Sequence, residues 1–309
     1  MRRLLALGAL LVLGAATSEA QAARALLRRL GRPDTARLVI IHADDAGMSP
    51  GADRATLRAL AAGHVSSASF VTVGESVADF VAALRPGDRF DLGLHLALTS
   101  ETPAMRFVPA AGAASVPSLV DADGTLHLRT PPAPDTLELE RELAAQLTSA
   151  RALGVRLTHL DSHQGALLFH GRERFAVLRR VARRDCLAIP VPETFFGRFP
   201  YLADALADGQ PALADLVSID PSVPPERWEA AYAQLFDWMR PGVTLLLVHL
   251  GDAGAEERRR YRDHVEYDAA WRARDAALVD ADALRAMARA RNIEVISWRE
   301  LREAAALCP

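Results

Sequence analysis

The 309-residue chain contains no lysine, so all 36 of its basic residues are arginine. That absence excludes every chemistry built on an ε-amine: no Schiff-base lysine, no pyridoxal phosphate anchor and no phosphate-loop lysine. Cysteine is nearly absent. Cys186 and Cys308 are the only two, stand far apart and match no zinc spacing. In an oxidising compartment they could pair. Neither sign of charge is in excess, since the formal net charge is −3, and that balance gives no support for nucleic-acid binding. The Gly-x-Ser-x-Gly, His-Glu-x-x-His and strand-following Gly-x-Gly-x-x-Gly motifs are missing too. Their absence removes the serine-hydrolase elbow, the zincin helix and the dinucleotide fold from consideration.

What is present begins with an address. Arg2 and Arg3 precede a short apolar stretch over residues 4–16, and Ala20-Gln21-Ala22 offers small residues at a cleavage point. This is the pattern of a secretory signal peptide over residues 1–22, too short to span a membrane. A secreted or periplasmic protein with no membrane contact after cleavage is expected. Residues 23–34 read as an amphipathic lead-in or linker. Residues 35–309 are long enough for one large α/β domain, and half of the chain is hydrophobic, enough for a full core.

Apolar runs alternate with helical patterns through this domain. Strands are expected over 38–43, 67–73, 91–98, 156–160, 243–249 and 293–297, with weaker candidates over 187–191 and 216–219. Helices are expected over 51–62, 77–84, 136–153, 172–184, 225–239 and 281–291. Alternating β and α units imply a mainly parallel sheet. Seven or eight such units predict closure into a TIM-like (β/α) barrel over an open sheet. Residues 99–135 break the rhythm with Pro103, Pro109, Pro117 and a Pro131-Pro132-Ala133-Pro134 cluster. They read as an inserted lid or rim at the barrel mouth.

The chemistry gathers at strand ends. Asp44 and Asp45 close the run Leu38-Val39-Ile40-Ile41-His42-Ala43. Two like charges at the mouth of a buried strand are costly unless a cation or a shared proton offsets them. His95, His163 and His249 also fall at the C-terminal ends of different expected strands, where barrel active sites are built. One carboxylate and two imidazoles fit a zinc-type site with a position left open for water, and the second carboxylate would be free to act as base. Adjacent on an extended chain, Asp44 and Asp45 should point to different sides. Alternation puts His159, Asp161 and His163 on one side, so Asp161 could orient a ligand imidazole. His249 could act as general acid. His42 packs or supports Asp44. His64, His127, His170 and His264 have no supporting context. Tyr267, Trp271 and Trp298 are either sugar-stacking or core aromatics.

These residues resemble the YdjC-like carbohydrate deacetylase family, which includes chitooligosaccharide deacetylases. The resemblance runs from Ile41-His42-Ala43-Asp44-Asp45-Ala46-Gly47-Met48-Ser49 through Gly63-His64-Val65-Ser66-Ser67-Ala68-Ser69 and Leu92-Gly93-Leu94-His95-Leu96-Ala97-Leu98-Thr99. It continues to Thr158-His159-Leu160-Asp161-Ser162-His163-Gln164 and Ile296-Ser297-Trp298. It implies a deformed (β/α) barrel and a metal-dependent hydrolase that removes acetyl groups from N-acetylated sugars or glycans. It implies that Asp45, His95 and His163 bind a divalent metal, zinc foremost, with magnesium, cobalt, nickel or manganese as alternatives. It makes Asp44 the catalytic base. Two departures stand out. Gln164-Gly165 follow where the family has a further histidine, and His249-Leu250-Gly251 stands for the family's His-Pro-Gly. Both would reshape the substrate cleft and not the metal set. Rival readings are an esterase or phosphohydrolase on the same scaffold and a glycan-binding protein with a decayed site.

Overall fold

The computed structural model describes residues 22–85, 89–130, 133–264, 266–305 and 307. The expected signal peptide falls on residues 1–22, of which 1–21 lie outside the described residues. Seven strands are described: β1 Arg37–Ala46, β2 Ser67–Phe70, β3 Leu92–Leu96, β4 Leu157–Ser162, β5 Asp215–Val217, β6 Gly242–His249 and β7 Glu294–Val295. All pair in parallel, in the order β4-β3-β2-β1-β6-β5, with β7 against the start of β1. The sheet curls into a half-barrel. The expected strand over 187–191 contributes single bridges instead of a ladder, His159 with Ala188 and, just beyond it, Pro192 with Leu213. These bridges lie between β4 and β5, the two ends of the strand order. Two prolines, Pro190 and Pro192, remove ladder donors there.

Around the sheet lie α1 Pro50–Ala62, α2 Val77–Ala83, α3 Thr136–Ala152, α4 Arg172–Asp185, α5 Trp228–Trp238, α6 Ala255–Arg260, α7 Ala269–Asp280, α8 Ala283–Ala290 and α9 Trp298–Ala305, besides a helical stretch over residues 22–29. Their starts are written in the sequence. Asp135 caps α3 by accepting from Leu137 N and Glu138 N, and Asp268 caps α7 by accepting from Trp271 N. Helices α6, α7 and α9 were not expected, and the helix expected over 281–291 is shorter, beginning at Ala283.

Strand alternation sorts the core into two layers. Val39, Ile41 and Ala43 of β1 and Leu246 and Val248 of β6 join the large cluster that includes α1, α3 and α4. Leu38 and Ile40 of β1 instead meet Val243 and Leu245 of β6, with Ala188, Leu213, Ile296 and Trp298. Residues from these separated segments can meet only on the concave side. Leu26 and Leu27, on a helical stretch over residues 22–29, close this inner layer at its base. Further along the same strand faces the inner layer turns polar: His42 and Asp44 follow Ile40 on β1, and His249 follows Leu247 on β6. The curl thus carries an apolar floor and an ionisable mouth.

The described residues of the insertion over 99–135 pack against α3. Glu142 is buried and accepts from Ala110 N and Ala111 N, and Gln146 pairs with both backbone groups of Ala97. Phe107, Val116, Leu119 and Leu126 are buried under it. Cys186 is disulfide-bonded, and Cys308 lies outside the described residues.

Candidate metal centre

Register places the strand-borne groups. The β1–β6 ladder that pairs Arg37 with Gly242 runs on to pair Asp44 with His249. The β3–β4 ladder pairs His95 with Asp161. Gly93, two residues before His95, has no room for a side chain, because a Cβ would stand 2.1 Å from His159 Nε2. His159 is buried and stacks on Trp298 at 4.8 Å between ring centroids.

Between Ala43 and Ala46 the β1–β2 register shifts, and Asp45 sits there with φ 70. This corrects one expectation. Asp44 and Asp45 do not diverge to opposite sides, because the left-handed backbone at Asp45 breaks the alternation of an extended strand. Both carboxylates reach one buried centre. Ligand-type atoms of Asp45, His95 and His163 lie within 4.8 Å of one another, and so do those of Asp44, His95 and Asp161. A left-handed non-glycine residue costs about 1–3 kcal/mol, and such strain gathers at functional sites.

The contacts are specific. Asp45 Oδ1 lies 3.2 Å from both His95 Nε2 and His163 Nδ1. Each imidazole has a carboxylate at its other nitrogen. His95 Nδ1 is 2.7 Å from Asp161 Oδ1, and His163 Nε2 is 3.2 Å from Glu101 Oε2. The second is a close ionic contact without hydrogen-bond alignment. Asp44 Oδ1 is 3.0 Å from His42 Nε2, which is also 3.0 Å from Asp161 Oδ2. His249 Nε2 stands 3.8 Å from Asp44 Oδ2, and its backbone N–H donates to Asp275. Asp275 also accepts from Trp228 Nε1 and Tyr232 OH.

Two groups arrive without strand geometry to announce them. Arg272 of α7 donates from Nη1 to Asp45 Oδ2 and from Nη2 to Glu101 Oε1, both at 2.9 Å. Glu101 comes from the insertion and also accepts from Gln164 Nε2. Gln164 has φ 52, directly after His163. His264, for which no role was expected, lies 3.6 Å from Glu101 Oε1. No role was expected of Arg272, which stands 227 residues from Asp45 in sequence. The signal was in the spacing: Arg272, Asp275, Ala276 and Val279 share the buried stripe of α7, and charged residues on such a stripe must find partners.

Electrostatics follow from this packing. Burial opposes charge on Asp45, but Arg272, His163 and His95 hold its carboxyl well below the ordinary range. Burial likewise opposes charge on Glu101, yet His163 and Arg272 lower it to about 2. Burial depresses His42, but Asp161 and Asp44 overcome this and raise it to about 9. His42 Nε2 thus stands between two carboxylates. Burial raises Asp275, and its three donors only partly offset that.

The donor set fits a small divalent ion. Ligand atoms about 2.1 Å from a tetrahedral ion stand roughly 3.4 Å apart, close to the 3.2 Å separations at Asp45 Oδ1. A carboxylate behind each imidazole is the usual way to orient a ligand histidine. Access is narrow. The Asp45, His95 and His163 side chains are 3% exposed, whereas those of His249 and His264 are 20% exposed. Trp271 and Trp298 are buried in the core and cannot stack on a sugar, while Tyr267 is half-buried.

Fold and site together define a parallel α/β protein with a carboxylate–imidazole centre at the C-terminal ends of its strands. The family model for YdjC-like proteins matches residues 38–290, so the chain belongs to the YdjC-like family. A carbohydrate deacetylase of Thermus thermophilus is 31% identical over 90% of this chain and 98% of its own length. One from Geobacillus stearothermophilus is 29% identical over 57% of this chain and 77% of its own. One from Brevibacillus brevis is 35% identical over 40% of this chain, a match spanning about half of that relative's length, 48%. A crystal structure from Enterococcus faecalis, described as a cellobiose-phosphate cleavage protein, shares the fold. Its TM-score is 0.73 at 20% identity, covering 86% of this chain and 99% of the other.

Proposed function

We propose that this chain is a metal-dependent carbohydrate deacetylase, a hydrolase that removes the acetyl group from an N-acetylated sugar or glycan. The observation that carries this reading is the convergence of His95 and His163 on one oxygen of Asp45, with Asp44 and His249 alongside. The names of its relatives support the substrate class. Asp45, His95 and His163 would hold the ion, with zinc foremost. A bound divalent ion supplies Lewis-acid polarisation of the acetamide carbonyl and a more acidic water.

The chain's own residues do the rest. Asp44, held by His42, takes a proton from the attacking water, whose oxygen bonds to the carbonyl carbon. The C–N bond then breaks, and His249 gives a proton to the leaving nitrogen. Acetate and a free amine result. His95 keeps its orientation through Asp161. We take the bridges at Ala188 and Leu213 as closing the curled sheet into a deformed barrel around this mouth. A secreted or periplasmic location belongs to the same reading, resting on the residue 1–22 pattern. Among the described residues no helix is long and apolar enough to cross a membrane.

A phosphohydrolase would need a guanidinium free to meet phosphate. Arg272 has both of its terminal nitrogens committed to carboxylates, which weighs against that reading. The test is acetate release from N-acetylglucosamine oligomers, with the protein stripped of metal and then given zinc, magnesium or cobalt. Acetate release that depends on an added ion, and that is lost in an Asp45→Ala, His95→Ala variant, is the expected result. Full activity in that variant would refute the assignment.

A further inference from the structure

Four buried side chains form a closed ring. Asp45 Oδ1 faces His163 Nδ1 at 3.2 Å, and His163 Nε2 faces Glu101 Oε2 at 3.2 Å. Glu101 Oε1 accepts from Arg272 Nη2, and Arg272 Nη1 donates back to Asp45 Oδ2, each at 2.9 Å. All four side chains are 3% exposed. They come from the end of β1, the turn after β4, the insertion and α7. The ring is joined nowhere by sequence proximity. Tyr261 supports it from outside, with its ring 4.5 Å from the Arg272 guanidinium carbon.

We infer that Arg272 and Glu101 are positioning residues that decide which atoms the centre presents. A carboxylate has two oxygens and can bind an ion through one or both. Arg272 holds Oδ2 of Asp45, so Oδ1 alone faces His95 and His163. An imidazole likewise has two nitrogens. Glu101 faces Nε2 of His163, so Nδ1 alone faces inward. The result is a sparse set of two nitrogens and one oxygen. Such a set suits zinc, which accepts few ligands and favours nitrogen. It suits magnesium or manganese poorly, because these take more oxygen ligands. Arg272 therefore acts on ion preference through Asp45, and the Arg272 fork matters as well as its charge. A lysine ammonium has one nitrogen and cannot hold Asp45 and Glu101 in the same planar geometry.

This inference rests on Asp45, His95 and His163 holding a divalent ion, and the experiment separates the two. Zinc and manganese affinities are measured by competition titration on the purified full chain, for wild type, His95→Ala, Arg272→Met, Arg272→Lys and Glu101→Gln. Cobalt spectra are recorded on the same proteins. Wild type should bind one zinc and discriminate strongly against manganese, and cobalt should give the intense visible bands of a low-coordinate site. In Arg272→Met, freeing Oδ2 should raise the manganese-to-zinc affinity ratio at least tenfold and weaken the cobalt bands toward six-coordinate intensity. The ratio is the readout because loss of a nearby cation strengthens all ions alike. Arg272→Lys should fall between the two. Glu101→Gln should weaken both ions roughly 10–100-fold, as loss of an orienting partner does, with the ratio unchanged.

Arg272→Met leaves two buried carboxylates facing each other and can fail to fold. The double variant Arg272→Met, Glu101→Gln removes the cation with one of its anions, and the same rise in ratio is expected of it. A wild-type ratio and cobalt spectrum in either folded variant would overturn the inference while leaving the ion site standing. Zinc binding that survives His95→Ala, or no binding at all, would instead overturn the site reading beneath it.

Discussion

On one side of the centre, His42, Asp44, His95, Asp161 and His249 stand on parallel strands whose register fixes their neighbours. On the other, Glu101, Arg272 and His264 come from an insertion and from the segment after β6, and side-chain contacts, ion pairs foremost, hold them at the centre. The strand side is over-determined: its backbone is laddered whether or not the side chains are present. The loop-and-helix side has no such scaffold at the centre, so its charges hold both the geometry and one another. Mutations on the two sides should therefore fail differently, one in chemistry and the other in stability and ion choice.

The largest effect is expected on the strand side. His95→Ala should lower acetate release by on the order of 10³-fold or more while the chain stays folded, as read by kinetics beside circular dichroism. A loss of fold equal to the loss of activity would erase the distinction. On the other side, Arg272→Met takes from Asp45 and Glu101 the guanidinium they share in a buried site, leaving them only their histidine and glutamine partners. Breaking such a pair typically costs about 3–5 kcal/mol, to be read as a lower urea midpoint. A stability change below about 1 kcal/mol, the scale of an exposed pair, would show that the ring carries little.

A smaller effect tests what holds the insertion in place. Glu142→Ala removes the carboxylate to which the Ala110 and Ala111 N–H groups donate. These donors are only part-buried, so the cost is expected to be about 1 kcal/mol for each, the low end of what an unmade buried donor costs. Hydrogen exchange should accelerate at Ala110 and Ala111 first, with the β1 and β6 amides unchanged. Acceleration spread evenly over the strands would contradict a separable insertion.

The smallest effect concerns Asp53 on α1, behind the strand side. Burial raises its carboxyl from 3.8 to about 6, although Ser76 and the Gly47 N–H partly offset this. The folded state therefore holds the proton more tightly than the unfolded state does. Stability is greatest below the unfolded value and declines as pH rises through about 6. Asp53→Asn keeps an oxygen for Gly47 and removes the charge. It should leave stability near wild type at pH 4 and raise it by about 1–2 kcal/mol at pH 8. A gap that is constant with pH would show that Asp53 ionises normally.

The same division explains what was readable in advance. His95, His163 and His249 follow apolar strands, and strands of a parallel sheet end at one face, so their meeting could be read from pattern alone. His42 supports Asp44, as expected from its place in β1. The relation of Asp44 to Asp45 could not be read, because it depends on a register shift and a left-handed residue that no alternation rule predicts. Glu101 lay inside a proline-rich stretch that looked like a lid. Arg272 lay in Trp271-Arg272-Ala273-Arg274-Asp275, dense with charge in a chain whose every basic residue is arginine, and no helix was expected there to give it a buried face. Trp298 and Trp271 are buried because the inner layer and α7 need bulk at their positions, a demand set by neighbours distant in sequence.

The central claim is that Asp45, His95 and His163 form one divalent-ion site on which hydrolysis depends. The most direct measurement is metal content and acetate release on the same preparations: as purified, stripped with chelator, and re-supplied with one equivalent of zinc. Close to one ion per chain is expected, with loss of acetate release on stripping, its return on re-supply, and neither ion nor activity in Asp45→Ala. Undiminished acetate release from protein shown to be metal-free would contradict it.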